Sequence, residues 1–487
     1  VDTPGAKRPE AASTSVGLEP GVDDHAPGGA GQSAYPQADV SRARFIAGPL
    51  GPHVLEMVLT GWASMLAVFA VEFLSLLYLG TLQDEAVMGA VGFGSMTQFT
   101  ITSVCIGVTV GGAALVSRAL GAGNAPRART LAGASLILMA GSALAAGVLF
   151  LAAIGPFTAA INLAPDMREH LLSYVLITTP FAAVMGIGMM LSNLLRASGR
   201  GRQSMWVLLA GTTTVAVLDP IVIFVLDGGM QGIAWAGGVG RMATVALGGW
   251  LVFRKHRLVA WPGRAALLGD LAAIGRIALP AALTALATPA AVIFTVSTYA
   301  TFGPSVMAGA TVVDRVLQLA YSLYFVLPGA IGPILGQNLG AGQWDRVRQA
   351  VSLTSRWAVV YGLGAATLLA LAAPWVADLF RMTGPGRELV IFFCRYGSFA
   401  WAVNSLFFVS IAVFNNLGYA TYSTMIGWLR STVGTIPFVW LGAHYGGAEG
   451  VLLGQALGFA VFSLIAMAVC LRVLRAPPVD KAQSHAA

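Results

Sequence analysis

Four carboxylates stand inside long apolar runs of this sequence: Glu56, Glu72, Asp219 and Asp314. A charge at the centre of a hydrocarbon layer costs about 2.5–3.5 kcal/mol on insertion scales, so an acid kept there is a candidate for holding a proton or a cation. Asp219 has the most specific setting. It lies in VAVLDPIVIF, directly before Pro220, and a proline within a helix donates no N–H and crowds the carbonyl four residues back. The helix should kink there and free a backbone acceptor beside the carboxylate, with the hydroxyls of Thr213 and Thr214 to assist. The alternative is a structural kink whose aspartate is satisfied by a neighbouring helix.

Glu72, in AVFAVEFLSLLYLG, is a second candidate proton carrier, balanced against a purely structural role. Asp314 is followed by Arg315. Adjacent helical residues point about 100° apart, so each is expected to pair with another helix. Glu56 lies near the start of its run and can reach the membrane surface. Gln98, Asn193, Gln318, Asn404 and Asn415 are polar within apolar runs, where they bond across helices or face a cavity. Aromatics are plentiful, and a cavity lined by them could hold bulky organic cations; for most of them helix packing is the simpler role. The candidates for such a wall are Phe69, Gln98, Asn193 and Tyr321. Arg241, Arg395 and Arg430 also fall within runs, as partners for these acids or for an anionic substrate.

These residues must be positioned by helices that cross a membrane. Only 10% of the 487 residues are charged and 56% are apolar, against about 25% charged in soluble domains. Each run is long enough to cross a hydrocarbon core of about 30 Å. Twelve spans follow: 54–79, 86–117, 131–155, 169–194, 204–226 and 231–253, then 271–301, 305–335, 351–377, 388–414, 423–443 and 448–471. The fold class is an all-α polytopic membrane protein. Residues 1–45, rich in Gly, Pro and Ala, read as a disordered cytoplasmic tail rather than a signal peptide, and 473–487 as a second tail. Residues 46–253 form one lobe, 254–270 a cytoplasmic connector and 271–472 the other lobe.

Arginines cluster in alternate loops, at 118, 127, 129, 196, 200, 202, 346 and 348 among others, which predicts cytoplasmic termini by the positive-inside rule. That pattern also accounts for the net charge of +7 without a nucleic-acid partner. Cys105, Cys394 and Cys470 lie inside apolar runs and imply no disulfide framework.

The two halves repeat. LGAGNAPRAR (Leu120–Arg129) returns as LGAGQWDRVR (Leu339–Arg348), 219 residues later, and GGMQGI (Gly228–Ile233) as GGAEGV (Gly446–Val451), 218 residues later. Six spans per copy make the repeats parallel, an arrangement of transporters with the substrate site between the halves. The LGAG loops read as hinges on the cytoplasmic face, their glycines allowing the turn. There is no Walker A, HExxH or GxSxG sequence, and the glycines at 121–123 are no dinucleotide fingerprint. No metal site, cofactor or enzymatic activity is expected.

LGAGNAPRAR, RASGRGRQSM (Arg196–Met205), LDPIVIF (Leu218–Phe224), GQNLGAG (Gly336–Gly342) and FNNLGYA (Phe414–Ala420), in this order within twelve spans, make the sequence resemble the multidrug and toxic-compound extrusion (MATE) family over about residues 50–472. The resemblance implies a V-shaped pair of six-helix lobes in the inner (plasma) membrane. It also implies a monomer that exports small organic, often cationic, compounds against inward H⁺ or Na⁺. One branch of the family uses aspartates in helices one and five and an asparagine before the latter. Asp219 matches the second aspartate, whereas Ser75 and Val215 stand at the other two positions, and Glu72 is placed to substitute. Another branch uses acids in helices seven and ten, where this chain has residues near Thr288 and Asn404. These departures favour H⁺ over Na⁺, carried by Asp219 and Glu72 with Ser75 and Thr214, with Asp314 and Asn404 secondary. The alternatives are a lipid-linked saccharide flippase of the related two-lobe type, which calls for a cationic central cavity built from Arg241, Arg395 and Arg430, or a non-transporting membrane receptor.

Overall fold

The computed structural model describes residues 43–80, 85–160, 165–226 and 228–475; the remainder of both expected tails lies outside them. Among the described residues there are fifteen α-helices and no strand. The first half contains α1 (Leu50–Gly80), α2 (Glu85–Gly121), α3 (Ala125–Ala160), α4 (Pro165–Thr178), α5 (Pro180–Ala197), α6 (Gly201–Phe224) and α7 (Gly229–Gly249). The second contains α8 (Arg264–Ala300), α9 (Pro304–Ala320), α10 (Ser322–Gly340), α11 (Trp344–Leu379), α12 (Gly384–Phe392), α13 (Ser398–Leu417), α14 (Ala420–Ser431) and α15 (Ile436–Arg475). Apolar runs in hydrocarbon take this form because a helix satisfies every backbone group within one segment.

Breaks fall where the backbone is disturbed. Pro180, which has no N–H to continue the ladder from α4, starts α5, and Tyr321 leaves the helical well between α9 and α10 with φ −114° and ψ 17°. α15 is 40 residues long, about 60 Å at 1.5 Å per residue, twice what one crossing needs. Gly447, with φ 58° and ψ −143°, folds it into a hairpin. The two arms lie backbone to backbone. A Cβ on Gly442 would strike the Gly450 carbonyl, one on Gly454 that of Phe438, and one on Gly458 that of Gly434. Among the described residues eleven apolar helical stretches are long enough to cross a membrane, and the Gly447 turn divides the last, Ala420–Arg475, to give the expected twelve crossings.

Each lobe's core includes the first helix of the other half. Val54, Met57 and Val58 of α1 are buried with residues of α10, α11 and α13. Ile274 and Ala278 of α8 are buried with residues of α2, α3 and α5. The expected boundaries shift accordingly. α8 begins at Arg264, inside the 254–270 connector, and its buried Asp270 pairs with Arg127 at 2.5 Å. Phe45, placed in the tail by composition, is fully buried, and α15 continues to Arg475.

Candidate functional site

Asp219 sits in α6 with Pro220 after it and is 1% exposed. Its Oδ2 accepts a hydrogen bond from Ser75 Oγ of α1, and its Oδ1 has no hydrogen-bond partner. Ser75 Oγ also lies 2.9 Å from the Val71 carbonyl of its own helix. A hydroxyl carries one proton, so it serves one of these acceptors at a time. With Asp219 ionised, Ser75 donates to the carboxylate and releases Val71. With Asp219 protonated, the acid donates to Ser75 and the hydroxyl returns to Val71. The arrangement can thus link protonation of Asp219 to the hydrogen bonding of α1. Tyr174 of α4 lies within electrostatic reach of both Asp219 and Arg241 of α7, which completes the polar group in this lobe.

In the cation-driven transport that the sequence resemblance implies, Ser75→Ala is expected to slow export about tenfold or more, and Ser75→Thr, which keeps the hydroxyl, to restore it. A hydrogen bond to a charged group contributes about 1.5–3 kcal/mol, or about 10–150-fold. Initial rates in vesicles under a fixed pH gradient check this.

The other sequence candidates fall in different places. Thr214 spends its hydroxyl on the Ala210 carbonyl at 2.7 Å and not on Asp219. Glu72 is exposed on α1, bonded to neither Asp219 nor Ser75, and the charge acting on it is Arg315 of α9. Asp314 is bonded by Gln318 of its own helix at 2.6 Å, rather than by another helix as expected, and Arg315 reaches the same Gln318 at 3.4 Å. Asn404 is buried in the second lobe, accepting from Ser463 at 3.0 Å. Among the cavity candidates, Gln98 donates to Met185 Sδ at 3.3 Å, Asn193 to the Met189 carbonyl at 3.1 Å, and Phe69 is half-buried. Tyr321 is a core residue and not a cavity wall: it is fully enclosed, its hydroxyl donating to the Ser398 carbonyl at 2.7 Å.

The three membrane arginines do not converge. Arg241 faces Tyr174 and Cys105, Arg430 lies between Phe407 and Phe459, and Arg395 is exposed. Sequence reasoning missed Arg196, which it placed in a loop. That side chain is buried at the lobe junction, against Gly61 of α1 and near Gly329 of α10.

The face bearing both LGAG loops is where the halves lock together, and the contacts are reciprocal. A Cβ on Gly121 would overlap the Gln337 carbonyl, and one on Gly340 would overlap that of Arg118. Arg118 donates to the Asn416 carbonyl at 2.5 Å, and Gln337 to the Ala197 carbonyl at 2.8 Å. Residues 118 and 337, like 121 and 340 and like 197 and 416, are 219 apart, so each bond is the repeat-related image of the other. The expected hinge role divides. Gly123 and Gly342, with φ of 74° and 70°, make the turns, while Gly121 and Gly340 permit the lobe contact.

An N-terminal strap crosses the same face. Phe45 N–H donates to Gln337 Oε1 at 3.0 Å, and its carbonyl accepts from Arg346 at 3.1 Å. Arg44 reaches the Gly199 carbonyl at 2.6 Å and pairs with Glu56 at 2.7 Å; Glu56 also meets Arg202 at 3.7 Å. Partial burial, with Arg200 and Lys255 beside it, pushes His256 down to about 4, so the neutral ring donates to Gln203 at neutral pH. Further in, Trp62 donates to Ser322 at 2.8 Å across the lobe boundary.

The MatE family model matches residues 62–221 and 280–441. The chain is 24% identical to the FAD transporter of Shewanella oneidensis over 424 residues, 85% of this chain and 92% of that protein. It is 28% identical to the probable multidrug resistance protein NorM of Pseudomonas syringae pv. tomato, over 81% of this chain and 89% of that one. In structure it resembles the Vibrio cholerae MATE transporter VcmN in the bent form, with TM-score 0.82, 21% identity and coverage of 88% and 97%.

Proposed function

The chain belongs to the MATE (MatE) family of membrane transporters, and from that premise we propose that it is a secondary active exporter of organic compounds, driven by protons entering the cell. Asp219 carries this reading: a carboxylate sealed at membrane depth, with one oxygen held by a hydroxyl from another helix and the other free to take a proton. Two carboxylate oxygens and one hydroxyl fall short of the shell of about six to eight oxygens that a hard cation such as Ca²⁺ takes, which favours H⁺ over a metal ion. The relatives' names, a multidrug resistance protein and an FAD transporter, support organic cargo without choosing its charge.

In this reading the LGAG face is cytoplasmic, the protein works as a monomer in the plasma membrane, and the structure is the state closed to the cytoplasm. Protonation of Asp219 moves the Ser75 hydroxyl back to α1 and alters the fit of α1 against α6. Because α1 is also part of the second lobe's core, that change reaches the lobe interface. No covalent chemistry is involved.

The test is expression in an efflux-deficient host. Protection against a panel of organic toxicants, lost when a protonophore collapses the gradient, is the expected result. Resistance and accumulation that ignore the gradient for every compound would overturn the reading.

A further inference from the structure

The second lobe holds a buried cation with no counter-charge. Arg430, near the end of α14, is 6% exposed. Its guanidinium is stacked between Phe459 of α15 at 3.7 Å and Phe407 of α13 at 4.3 Å, and Trp401 meets Phe459 edge-on at 5.9 Å. Among the described residues no carboxylate pairs with it, no group accepts a hydrogen bond from its guanidinium, and its Nε is enclosed without a partner. One helical turn from Phe407, Asn404 is 1% exposed and its Nδ2 also lacks an acceptor. The Ser463 hydroxyl, one turn from Phe459 on α15, lies 3.0 Å from the Asn404 carbonyl oxygen and 2.6 Å from the Phe459 carbonyl, and its single proton serves one of them at a time. The Asn404–Ser463 contact thus lies one helical turn, about 5 Å along the α13–α15 seam, from the layer that the two rings form around Arg430.

That layer is rich in donors and poor in acceptors. Aromatic faces on both sides satisfy the guanidinium's flat surfaces by cation–π attraction but do nothing for its in-plane N–H groups. An unpaired charge of this kind is costly at membrane depth, and each unsatisfied buried group in a native structure calls for an occupant. A planar fork with covered faces presents its edge, which suits a compact anion or one end of a carboxylate or phosphate.

We propose that Arg430 and Asn404 form an anion-binding site in the second lobe, taking one small anionic group: a free halide, or the carboxylate or phosphate of the transported compound. The two unpartnered donors supply its hydrogen bonds, and Phe407 and Phe459 fix the plane in which it is held. The site stands apart from Asp219, in the opposite lobe, and does not depend on proton coupling.

Two measurements on the full-length protein test it. Crystals of the wild type soaked in bromide should show an anomalous peak within hydrogen-bonding distance of the Arg430 guanidinium. Thermal unfolding followed by tryptophan fluorescence, with chloride, acetate or inorganic phosphate titrated against a bulky sulfonate at constant ionic strength, should show a saturable rise in midpoint. Arg430→Gln should weaken that response at least tenfold, Asn404→Leu by about threefold or more, and Asp219→Asn should leave it unchanged. A response to halide alone identifies a free ion, and competition by acetate or phosphate identifies a substrate group. If Arg430→Gln does not fold, Arg430→Lys, which keeps the charge and loses the fork, and the wild-type bromide map decide. No peak in the wild type, or an anion response that survives loss of Arg430, overturns the site.

Discussion

Asp219→Asn is expected to abolish proton-driven export while leaving the protein folded. The amide keeps the size of the carboxylate and can still accept from Ser75, but it cannot take up a proton. In vesicles with an imposed pH gradient, substrate accumulation should fall at least tenfold, to the level of empty membranes. Each proton entering down 100 mV supplies about 2.3 kcal/mol, enough for about a 50-fold gradient of a neutral compound, and the mutant forfeits this entirely. Thermal stability should hold or rise, because a buried ionisable group with an unpartnered oxygen is replaced by a neutral one. Full gradient-driven accumulation in Asp219→Asn would sink the coupling assignment. A loss in which the unfolding midpoint collapses as well would assign Asp219 a structural role.

Gly121→Ala and Gly340→Ala should each disable transport from the opposite direction, by opposing closure of the LGAG face. The added methyl groups would run into the Gln337 and Arg118 carbonyls, and backbone cannot step aside as a flexible side chain can. Overpacking costs about 1–3 kcal/mol, so the closed arrangement should lose population by a factor of about 5–150 relative to one with the lobes apart. A thiol-reactive probe at Ser117→Cys, a position buried against Gly336 of the other half, reads this as faster labelling from that face. Gly123→Ala and Gly342→Ala are the controls: nothing lies within 4 Å of the added carbon, and the cost is confined to the positive φ of the turn. Equal labelling in all four variants would refute the gate.

Twelve crossings and a two-fold repeat are legible in the sequence because hydrocarbon enforces them residue by residue. The burial of Asp219 is legible for the same reason, whereas the expected break at Pro220 does not occur, since α6 continues through it to Phe224. What surrounds the carboxylate is not legible. Thr214 is near Asp219 in sequence, yet its hydroxyl is satisfied by the preceding turn of its own helix, the usual fate of threonine inside a helix. The residue that reaches the carboxylate, Ser75, stands 144 positions away, and only the family resemblance pointed to it. The enclosure of Tyr321 and the pairing of Asp314 with Gln318 of its own helix are not legible, because apolar runs carry no record of which face turns inward. The lobe contact had a usable signal in the offset of 219 that relates Gly121 to Gly340, which meet matching carbonyls of the opposite half.

That reciprocity is the pattern of an isologous interface, in which residue i meets j and j meets i. The LGAG face is, in form, a homodimer contact retained within one chain, and its departures from symmetry show where the two copies stopped being interchangeable. Position 118 is arginine and position 337 is glutamine. Both donate to a carbonyl of the opposite half, but arginine has no acceptor to offer, whereas glutamine keeps its oxygen. Phe45 N–H takes that oxygen. One arginine-for-glutamine difference between the copies therefore gives the N-terminal segment a single docking side on an otherwise two-fold surface. An arginine at 337 would leave the donors of the gate in place and the strap without its anchor.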